Sequence, residues 1–517
     1  MASTKQKPQL TRRSFIKKAG TLTTVAAVSP LSFSALFSRS TDDKRIIIVG
    51  AGLAGLSCAY ELDQAGYNVV LLEARSRAGG RVRTFRDSFA DYLYAEMGAE
   101  YVNSEDIYTR KYAKNFGLQI LNAKLYDGIY VRGQKYKIAD LKSKKQKLPY
   151  DGVAGGQLFG QEKAYIQPWV KKVENWVADN NVSCFSCHEY GGQPVIKNPL
   201  DFSHLPEDIL ALDKLSIKDL LKREGAPRDI IDLYTYTNAT ESTGRPETLS
   251  AFRLVMGHYM AGGFSEDTDE GRIYGGNDQL PKSFAKAISS NIKYNRPVTK
   301  IAHGNNGVEV FFNEKGKQVS MKGIRTVVAM PLTILRRTKI TPYFSEDKMH
   351  VIRNQSYGHV MKIAMQFKRR IWDEKGSVGQ RIFTDTPLRR VYHFSIDQPG
   401  PRGILLSFTS GTDAEKLGKM SEEKRLTISR NTAEKLWPKT PQYWESGISK
   451  YWNEDPWLRG SYSFIGPGQH DFLNIIRRSE GQVHFAGEHT TIYRASMNGA
   501  IESGLRAVDE VKQAVKI

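Results

Sequence analysis

The pattern of apolar and polar positions near the start of the chain predicts a strand, a helix and a second strand. Residues 46–49 form a continuous apolar run rich in β-branched side chains, which is typical of a buried parallel strand. Gly50, Gly52 and Gly55 then form the pattern G-x-G-x-x-G at the opening of a helix, and residues 69–72 form the next apolar run. This order indicates a βαβ unit and therefore a parallel sheet.

The glycine turn is suited to binding the pyrophosphate of a dinucleotide. Its three glycines permit a tight turn, a close approach of the backbone to the phosphates, and close contact between helix and strand. The helix N-terminus offers N–H groups and the positive end of its dipole to the phosphates. Glu73 ends the second strand, 18 residues after Gly55, where its carboxylate can accept hydrogen bonds from a ribose. We therefore predict a dinucleotide site.

A second glycine pair, flanked by arginines, narrows the choice of dinucleotide. Arg75, Gly79, Gly80 and Arg81 lie in the stretch EARSRAGGRVRT, and guanidinium groups there are suited to charge-assisted hydrogen bonds with the pyrophosphate. A basic surface turn after a nicotinamide-binding unit is the alternative. The stretch resembles the flavin-containing amine oxidase superfamily, which comprises monoamine oxidases, polyamine oxidases and L-amino acid oxidases. In that family the segment holds FAD.

Further segments resemble the same family in the family's own order, from about residue 44 to residue 511. The resemblance implies an α/β fold, in which a discontinuous Rossmann-like FAD-binding domain stands beside a mixed-sheet and helical substrate-binding domain. It implies FAD-binding segments at residues 43–125, 271–332 and 451–517, and substrate-domain segments at residues 126–270 and 333–450. The additional FAD contacts that it implies lie at Gly98, Ala99, Val298, Gly487, Glu488 and Met497.

Two residues carry the chemistry that the resemblance implies beside the flavin ring. Lys362 lies in the strand-like stretch 357–367 and matches the family's lysine that binds flavin N5 through a water; an exposed strand lysine is the alternative. Tyr462 matches one wall of the aromatic pair in front of the ring, and Ser496 stands where some members carry the second aromatic. Ser461 stands where covalent members carry a cysteine, so FAD is expected to be noncovalent.

The resemblance implies oxidation of a C–N bond. A neutral amine transfers a hydride from its α-carbon to flavin N5, the imine is hydrolysed to an aldehyde, and oxygen takes the electrons to give hydrogen peroxide. In the run Gly98-Ala99-Glu100-Tyr101 no arginine follows the glycine, whereas L-amino acid oxidases often place there the arginine that binds the substrate carboxylate. This favours an amine substrate, although another arginine can serve. An L-amino acid oxidase that produces 2-oxo acids is the alternative.

Composition and charge restrict the partners. The chain has 517 residues and a formal net charge of +20. It shows no zinc-finger spacing, no helix-turn-helix pattern and no RNP-like aromatic run, so a nucleic-acid partner is not expected. The expected partners are a small-molecule amine, molecular oxygen and a second copy of the chain in a homodimer.

Residues 1–42 are predicted to be an export signal and linker. Residues 11–17 read TRRSFIK, which matches the twin-arginine export pattern, and a moderately apolar run follows at residues 19–37. The alternative is a disordered basic tail. The signal predicts a bacterial protein that the twin-arginine translocase delivers, folded around its cofactor, to the periplasm or the medium.

Three cysteines occur in the sequence, and two of them lie in one motif. Cys184, Cys187 and His188 form C-x-x-C-H, the attachment pattern of a c-type haem, which makes a periplasmic flavocytochrome amine dehydrogenase a further alternative. A local disulfide or two free thiols is the preferred interpretation, because the family needs no haem and no second axial ligand is evident. Cys58 is expected to be buried in the first helix, and no metal site is predicted.

Overall fold

The computed structural model of the chain describes residues 44–122, 127–153, 160–180, 205–261 and 271–515. In chain order, its strands are β1 (Arg45–Val49), β2 (Asn68–Leu72), β3 (Thr84–Phe85), β4 (Ala95–Glu96), β5 (Ile120–Asn122), β6 (Gly128–Val131), β7 (Gln134–Lys137), β8 (Gly271–Ile273), β9 (Ile292–Lys293), β10 (Val298–Gly304), β11 (Gly307–Glu314), β12 (Lys317–Gly323), β13 (Arg325–Val328), β14 (Lys339–Thr341), β15 (Ser356–Tyr357), β16 (Val360–Phe367), β17 (Arg381–Thr384), β18 (Arg390–His393), β19 (Gly403–Ser410), β20 (Trp444–Tyr451), β21 (Ser463–Phe464) and β22 (Val483–Phe485). The α-helices are α1 (Leu53–Gln64), α2 (Ile107–Asn115), α3 (Ile138–Lys142), α4 (Lys163–Asp179), α5 (Glu207–Ala211), α6 (Ile217–Arg223), α7 (Arg228–Tyr236), α8 (Asn238–Glu241), α9 (Ala251–Ala261), α10 (Gln279–Ala287), α11 (Leu332–Leu335), α12 (Glu346–Asn354), α13 (Gly411–Gly418), α14 (Glu422–Leu436), α15 (Thr440–Tyr443), α16 (Phe472–Arg477) and α17 (Met497–Ala514).

A five-stranded parallel sheet contains the βαβ unit predicted from the sequence. Its strand order is β22-β13-β1-β2-β9, and every neighbouring pair is parallel. β1 is continuously apolar because both faces of the sheet are covered: Ile46 and Ile48 pack into one apolar core, and Ile47 and Val49 pack into another. The strands come from widely separated parts of the chain, so the sheet is complete only when its distant segments meet.

Different layers cover the two faces of the parallel sheet. α1, α10 and α17 contribute to the apolar core that contains Ile46 and Ile48. The other core includes a four-stranded sheet in the order β12-β11-β10-β14, with Ile301 and Val310 among its buried side chains. α1 begins directly after Gly52, and no side-chain hydrogen bond caps its N-terminus. Gly52 therefore supplies no side-chain partner to the first backbone N–H groups of the helix.

A seven-stranded mixed sheet has the order β20-β16-β19-β18-β17-β6-β7, in which β17 and β6 are parallel and the other neighbours antiparallel. α13 and α14 cover one face, where Met361 and Ile363 pack against Leu436. The other face carries Ala364, which packs against residues 93–97. β16 is therefore buried on both faces, and its side chains alternate between two apolar environments.

Helices make up most of the described chain between residues 205 and 261. The short helix α8 is anchored at both ends: Asn238 donates a 2.8 Å hydrogen bond to the carboxylate of Glu162, and Ser410 donates one of 2.8 Å to the carbonyl of Thr240. The two sheets and the helical region confirm the predicted α/β fold class. Among the described helices, none combines the length and the hydropathy of a bilayer-spanning segment.

Candidate active site

A cavity of about 360 Å³ lies at the carboxyl ends of the parallel strands. Gly50, Glu73, Ala329 and Gly487 follow four of these strands and all contribute to its wall, which is where an open parallel sheet binds its ligands. The volume is in the range of small-molecule and cofactor sites. The predicted site residues other than Gly55 line this cavity, namely Gly50, Gly52, Glu73, Arg75, Gly79, Gly80, Arg81, Gly98, Ala99, Val298, Lys362, Tyr462, Gly487, Glu488 and Met497.

Gly55 lies behind the turn and not in the cavity wall. A Cβ atom at this position would stand 1.9 Å from the carbonyl oxygen of Gly50, so only glycine lets α1 approach β1 this closely. Gly98 has a similar constraint, because a Cβ there would stand 2.0 Å from the carbonyl oxygen of Arg81. The two glycines hold the walls of the cavity together by permitting close contact between backbones.

Glu73 and Arg75 are both fixed by protein partners. The Glu73 carboxylate accepts hydrogen bonds from the backbone N–H groups of Ala51 and Arg75, each at 2.8 Å. Burial raises the pKa of Glu73, and these two bonds oppose the rise. The guanidinium of Arg75 pairs with Asp455. Glu73 thus braces the glycine turn in addition to facing the cavity, and the charge of Arg75 is already balanced.

Arg81 and Glu488 form an ion pair, although each is predicted from the sequence to contact FAD on its own. Their side chains are 2.9 Å apart, and the hydroxyl of Ser463 donates a 2.8 Å hydrogen bond to the same carboxylate. Burial favours a raised pKa for Glu488, but the charge of Arg81 and the bond from Ser463 contribute to lowering it to about 2. Glu488 is therefore ionised, and the pair joins two distant segments at the cavity wall.

Three side chains stand in a row on the face of the mixed sheet that faces the cavity. Lys362 on β16 is opposite Phe408 on β19, and Phe408 is opposite Arg390 on β18. Directly opposed residues of antiparallel strands share a face. The Lys362 Nζ and the Arg390 Cζ each lie 5.9 Å from the centroid of the Phe408 ring, and all three residues line the cavity. The sheet therefore presents two cations with an aromatic ring between them.

Lys362 is buried, so the alternative of an exposed strand lysine is wrong. Its Nζ donates hydrogen bonds to Oε2 of Glu100 at 2.7 Å and to the carbonyl oxygen of Glu96 at 3.1 Å. The hydroxyl of Tyr392 donates to the same Glu100 oxygen. Two of the three ammonium N–H bonds are thus directed at protein atoms, and the third can serve a ligand or a water in the cavity. The bond to flavin N5 stays a prediction.

Arg390 brings a guanidinium to this cavity. Its side chain is only 2% exposed and pairs with the carboxylate of Glu241. The carbonyl oxygen of Glu241 accepts a hydrogen bond from the hydroxyl of Tyr462, so Arg390 and the predicted aromatic wall share one neighbour. Burial raises the pKa of Tyr462 and the charge of Arg390 opposes the rise. The tyrosine is therefore a neutral hydroxyl at neutral pH.

Glu100, Glu241, Arg390 and Tyr392 are cavity residues that the sequence analysis did not assign to the site. A signal for two of them was present: Arg390 and Tyr392 are two positions apart in a short strand and so share a face, and a charge on a buried strand needs a partner. Glu241 comes close to them only through the fold, and the sequence around it carries no comparable signal.

Two predicted motifs lie outside the described residues: the twin-arginine pattern at residues 11–17 and the C-x-x-C-H motif at Cys184, Cys187 and His188. Cys58 is buried in α1, as predicted, and burial raises the pKa of its thiol. Within the described ranges, no group of three or more His, Cys, Asp or Glu side chains is arranged to hold a metal ion.

Comparison with known proteins assigns the family. The family model for flavin containing amine oxidoreductases matches residues 53–512. The chain belongs to the flavin-containing amine oxidoreductases. Among relatives of this oxidoreductase, the Bacillus subtilis (strain 168) protein YobN is 29% identical over 92% of this chain and 96% of its own length. An L-amino-acid oxidase of Siganus canaliculatus is 27% identical over 90% of this chain and 85% of its own. The solved cyclohexylamine oxidase from Brevibacterium oxydans IH-35A shares the fold, with a TM-score of 0.74 at 18% identity over 92% of this chain and 100% of that chain.

The protein is thus an FAD-dependent amine oxidoreductase, and the family gives no support to a haem. The cavity wall fits the flavin nucleotide. A Cβ on Gly52 would meet no neighbouring atom of the described residues within 4 Å, and the φ of this residue is −75°, so neither packing in this part of the chain nor backbone conformation requires a glycine there. The space that it leaves adjoins the uncapped N-terminus of α1, where a pyrophosphate is stabilised. Glu73, at the end of β2, lines the same cavity, and its hydrogen bond to a ribose stays a prediction.

Proposed function

We propose that this oxidoreductase oxidises α-amino acids and that Arg390 binds the substrate carboxylate. The buried guanidinium of Arg390 in the cavity wall, with Glu241 linking it to Tyr462, carries the proposal. A guanidinium binds a carboxylate through two parallel hydrogen bonds, which fixes the orientation of the substrate as well as its charge. The name of the Siganus canaliculatus relative agrees with this substrate class. In this proposal the arginine missing after Gly98 is replaced by one from β18.

The other cavity residues have separate tasks in this proposal. When bound, the flavin takes a hydride equivalent from the substrate α-carbon and passes the electrons to oxygen, which gives hydrogen peroxide. Tyr462 and Phe408 surround the amine with aromatic surface, which disfavours its charged form and so favours the reactive neutral amine. Lys362, held by Glu100, keeps a positive charge at the wall where it can orient a water and stabilise developing negative charge.

Oxidation of an amine that has no carboxylate is the second candidate, and one observation favours it. Glu241 already pairs with Arg390, so the cavity can balance this charge without a carboxylate from the ligand. The sequence around Gly98 favours the same class, because no arginine follows that glycine.

A matched pair of substrates distinguishes the two candidates. L-Phenylalanine and 2-phenylethylamine differ only by the carboxylate, and release of hydrogen peroxide measures the oxidation of both. We expect a higher kcat/KM for L-phenylalanine, and we expect Arg390→Met to lower it roughly 100-fold, because a charge-assisted contact to the carboxylate is lost. The value for 2-phenylethylamine is expected to change less than about threefold, because the amine makes no such contact.

The control is Arg390→Lys, which keeps the charge without the two parallel donors and should give an intermediate kcat/KM for L-phenylalanine. The same comparison extends to L-leucine and 3-methylbutylamine if the cavity prefers aliphatic side chains. A wild-type enzyme that oxidises the amines and leaves both amino acids unchanged contradicts the proposal and supports the second candidate.

We also propose that the enzyme is exported by the twin-arginine pathway, on the strength of the pattern at residues 11–17. Cell fractionation with and without substitution of Arg12 and Arg13 tests the localisation. Assembly as a homodimer stays a prediction.

A further inference from the structure

Glu241 differs from the other carboxylates of the cavity wall in its exposure. Its side chain is 48% exposed, whereas Glu73, Glu100, Asp106 and Glu488 are buried. The guanidinium that it pairs with is itself almost fully buried. One partner of this ion pair is therefore fixed in the wall, and the other stands at the boundary between cavity and solvent.

We propose that Glu241 is an exchangeable counter-ion: it occupies Arg390 between turnovers, gives way to the substrate carboxylate, and so sets the preference between α-amino acids and amines. This inference rests on the proposed function, in which Arg390 is the carboxylate-binding residue. It makes Glu241 a specificity-determining residue that competes with one class of substrate and not with the other.

The backbone around Glu241 is fixed, so the exchange needs only a rotation of the side chain. Tyr462 donates a hydrogen bond to the carbonyl oxygen of Glu241, and Ser410 donates one to the carbonyl oxygen of the preceding Thr240. Asn238 ties the start of α8 to Glu162. The carboxylate itself can turn toward solvent at little cost, because a half-exposed carboxylate regains hydration when it leaves its partner.

The exchange keeps a negative charge beside Arg390 at every stage. A buried guanidinium without a counter-ion is strongly unfavourable, and here the anion comes either from Glu241 or from the substrate. An amine brings no carboxylate, so it enters a cavity in which Glu241 stays in place. Removal of the Glu241 charge should therefore strengthen binding of carboxylates and weaken binding of ammonium ligands, because Arg390 then repels a second cation.

Binding of two inert or slowly turned over probes tests this without reliance on turnover. 3-Phenylpropanoate carries the carboxylate alone, and 2-phenylethylamine carries the ammonium group alone. Binding is measured from the change in the visible absorption of the oxidised holoenzyme. For 2-phenylethylamine, oxygen is excluded and only the initial change is recorded. In Glu241→Gln we expect the Kd for 3-phenylpropanoate to fall by about three- to tenfold and the Kd for 2-phenylethylamine to rise. Glu241→Ala, which lacks the polar group altogether, should shift both constants in the same directions.

The matched control is Glu247→Gln. Glu247 is 49% exposed and pairs with Lys218 at 2.7 Å, like Glu241 in residue type and exposure, but it does not line the cavity. Neither Kd should change in this variant. An unchanged Kd for 3-phenylpropanoate in both Glu241 variants, together with a weakened Kd in Arg390→Met, overturns the inference and leaves the proposed function intact. If Arg390→Met binds 3-phenylpropanoate as tightly as the wild type does, the proposed function and the inference both fail.

Discussion

Lys362 and Arg390 each carry a positive charge into a wall that water scarcely reaches. Burying an ammonium or guanidinium is unfavourable by several kcal/mol unless a carboxylate lies next to it. Glu100 is the counter-ion of Lys362, and Glu241 is the counter-ion of Arg390. The two pairs differ in the solvent exposure of the carboxylate. The first pair is buried and also receives the hydroxyl of Tyr392, so it is a permanent part of the wall.

Removal of the Glu100 charge should therefore destabilise the holoenzyme. Glu100→Gln leaves the buried ammonium of Lys362 without an anion, and we expect it to lower the free energy of unfolding by about 3 kcal/mol. The double variant Glu100→Gln/Lys362→Met should recover at least half of this loss, because no unpaired charge is left. Urea unfolding of the single and double variants measures both values.

The exposed pair of Lys218 and Glu247 is the control for this experiment. Its partners are 34% and 49% exposed, so Glu247→Gln should change the free energy of unfolding by less than about 1 kcal/mol. Equal losses in Glu100→Gln and in the double variant would mean that the unpaired ammonium of Lys362 is not the cause of the instability.

At the scale of the element, α1 is the helix whose N-terminus is predicted to bind the flavin nucleotide. Gly55 lets the helix touch β1, and Gly52 leaves the space in front of its N-terminus. The two glycines therefore have different roles. Gly55 is required for packing of the helix on the strand, and Gly52 is predicted to leave room for the ligand. The helix must lie close to the sheet for its uncapped N-terminus to face the cavity.

Alanine at these two positions should therefore cause two different defects. Gly55→Ala forces a methyl group onto the carbonyl oxygen of Gly50, and we expect the free energy of unfolding to fall by about 3 kcal/mol. Gly52→Ala should leave the unfolding of the FAD-free protein within about 0.5 kcal/mol of the wild type, yet weaken FAD binding at least about tenfold. Urea unfolding and the recovery of flavin fluorescence on release of FAD measure the two effects.

Gly257 in α9 supplies the control, because among the described residues no neighbouring atom lies within 4 Å of a Cβ built there, and Gly257 does not line the cavity. Gly257→Ala should stabilise the protein by up to about 1 kcal/mol, since alanine favours a helix more than glycine does, and it should leave FAD binding unchanged. Loss of FAD in Gly257→Ala would mean that alanine at an open helical site disturbs the cavity indirectly.

At the scale of the whole molecule, two buried groups give opposite dependences of stability on pH. Burial lowers the pKa of His489 to about 3, so the folded protein holds a neutral imidazole where the unfolded chain takes up a proton near pH 6.5. Burial also raises the pKa of Glu96 to about 7, against hydrogen bonds from Asn277 and Thr84. Between pH 5 and 8, stability rises with pH through His489 and falls with pH through Glu96.

His489→Asn should separate these contributions. Because the folded pKa of His489 is depressed, the unfolded state binds more protons than the folded state below pH 6.5, and this favours unfolding as the pH falls toward 3. The wild type should therefore lose about 2 kcal/mol relative to the variant between pH 8 and pH 5. Urea unfolding of both proteins at the two pH values measures it. A difference that does not change with pH would mean that His489 has the same pKa in the folded protein as in the unfolded chain.

The parts of the site that residue spacing alone could predict are those whose residues are close together in the chain, whereas distant cavity residues such as Lys362 and Tyr462 were predicted through the family resemblance. Gly50, Gly52 and Glu73 follow two strands of one βαβ unit, so their spacing alone places them at one edge of a sheet. Arg390 and Glu241 could not be paired in this way, because β18 and α8, which carry them, are far apart in the chain and come together only in the fold. The fold class could be predicted from the order of the motifs. The ion pairs of the cavity could not be predicted, because they depend on contacts that form only in the folded chain.

The last strand of the parallel sheet has a consequence for synthesis of the protein. β22 pairs with β13, and Gly487 and Met497, which lie beyond it, close one side of the cavity. A polypeptide that stops before β22 therefore lacks one wall of the predicted nucleotide site. We expect such a truncated product to bind FAD more weakly, so flavin content should distinguish chains that contain this last strand from chains that do not.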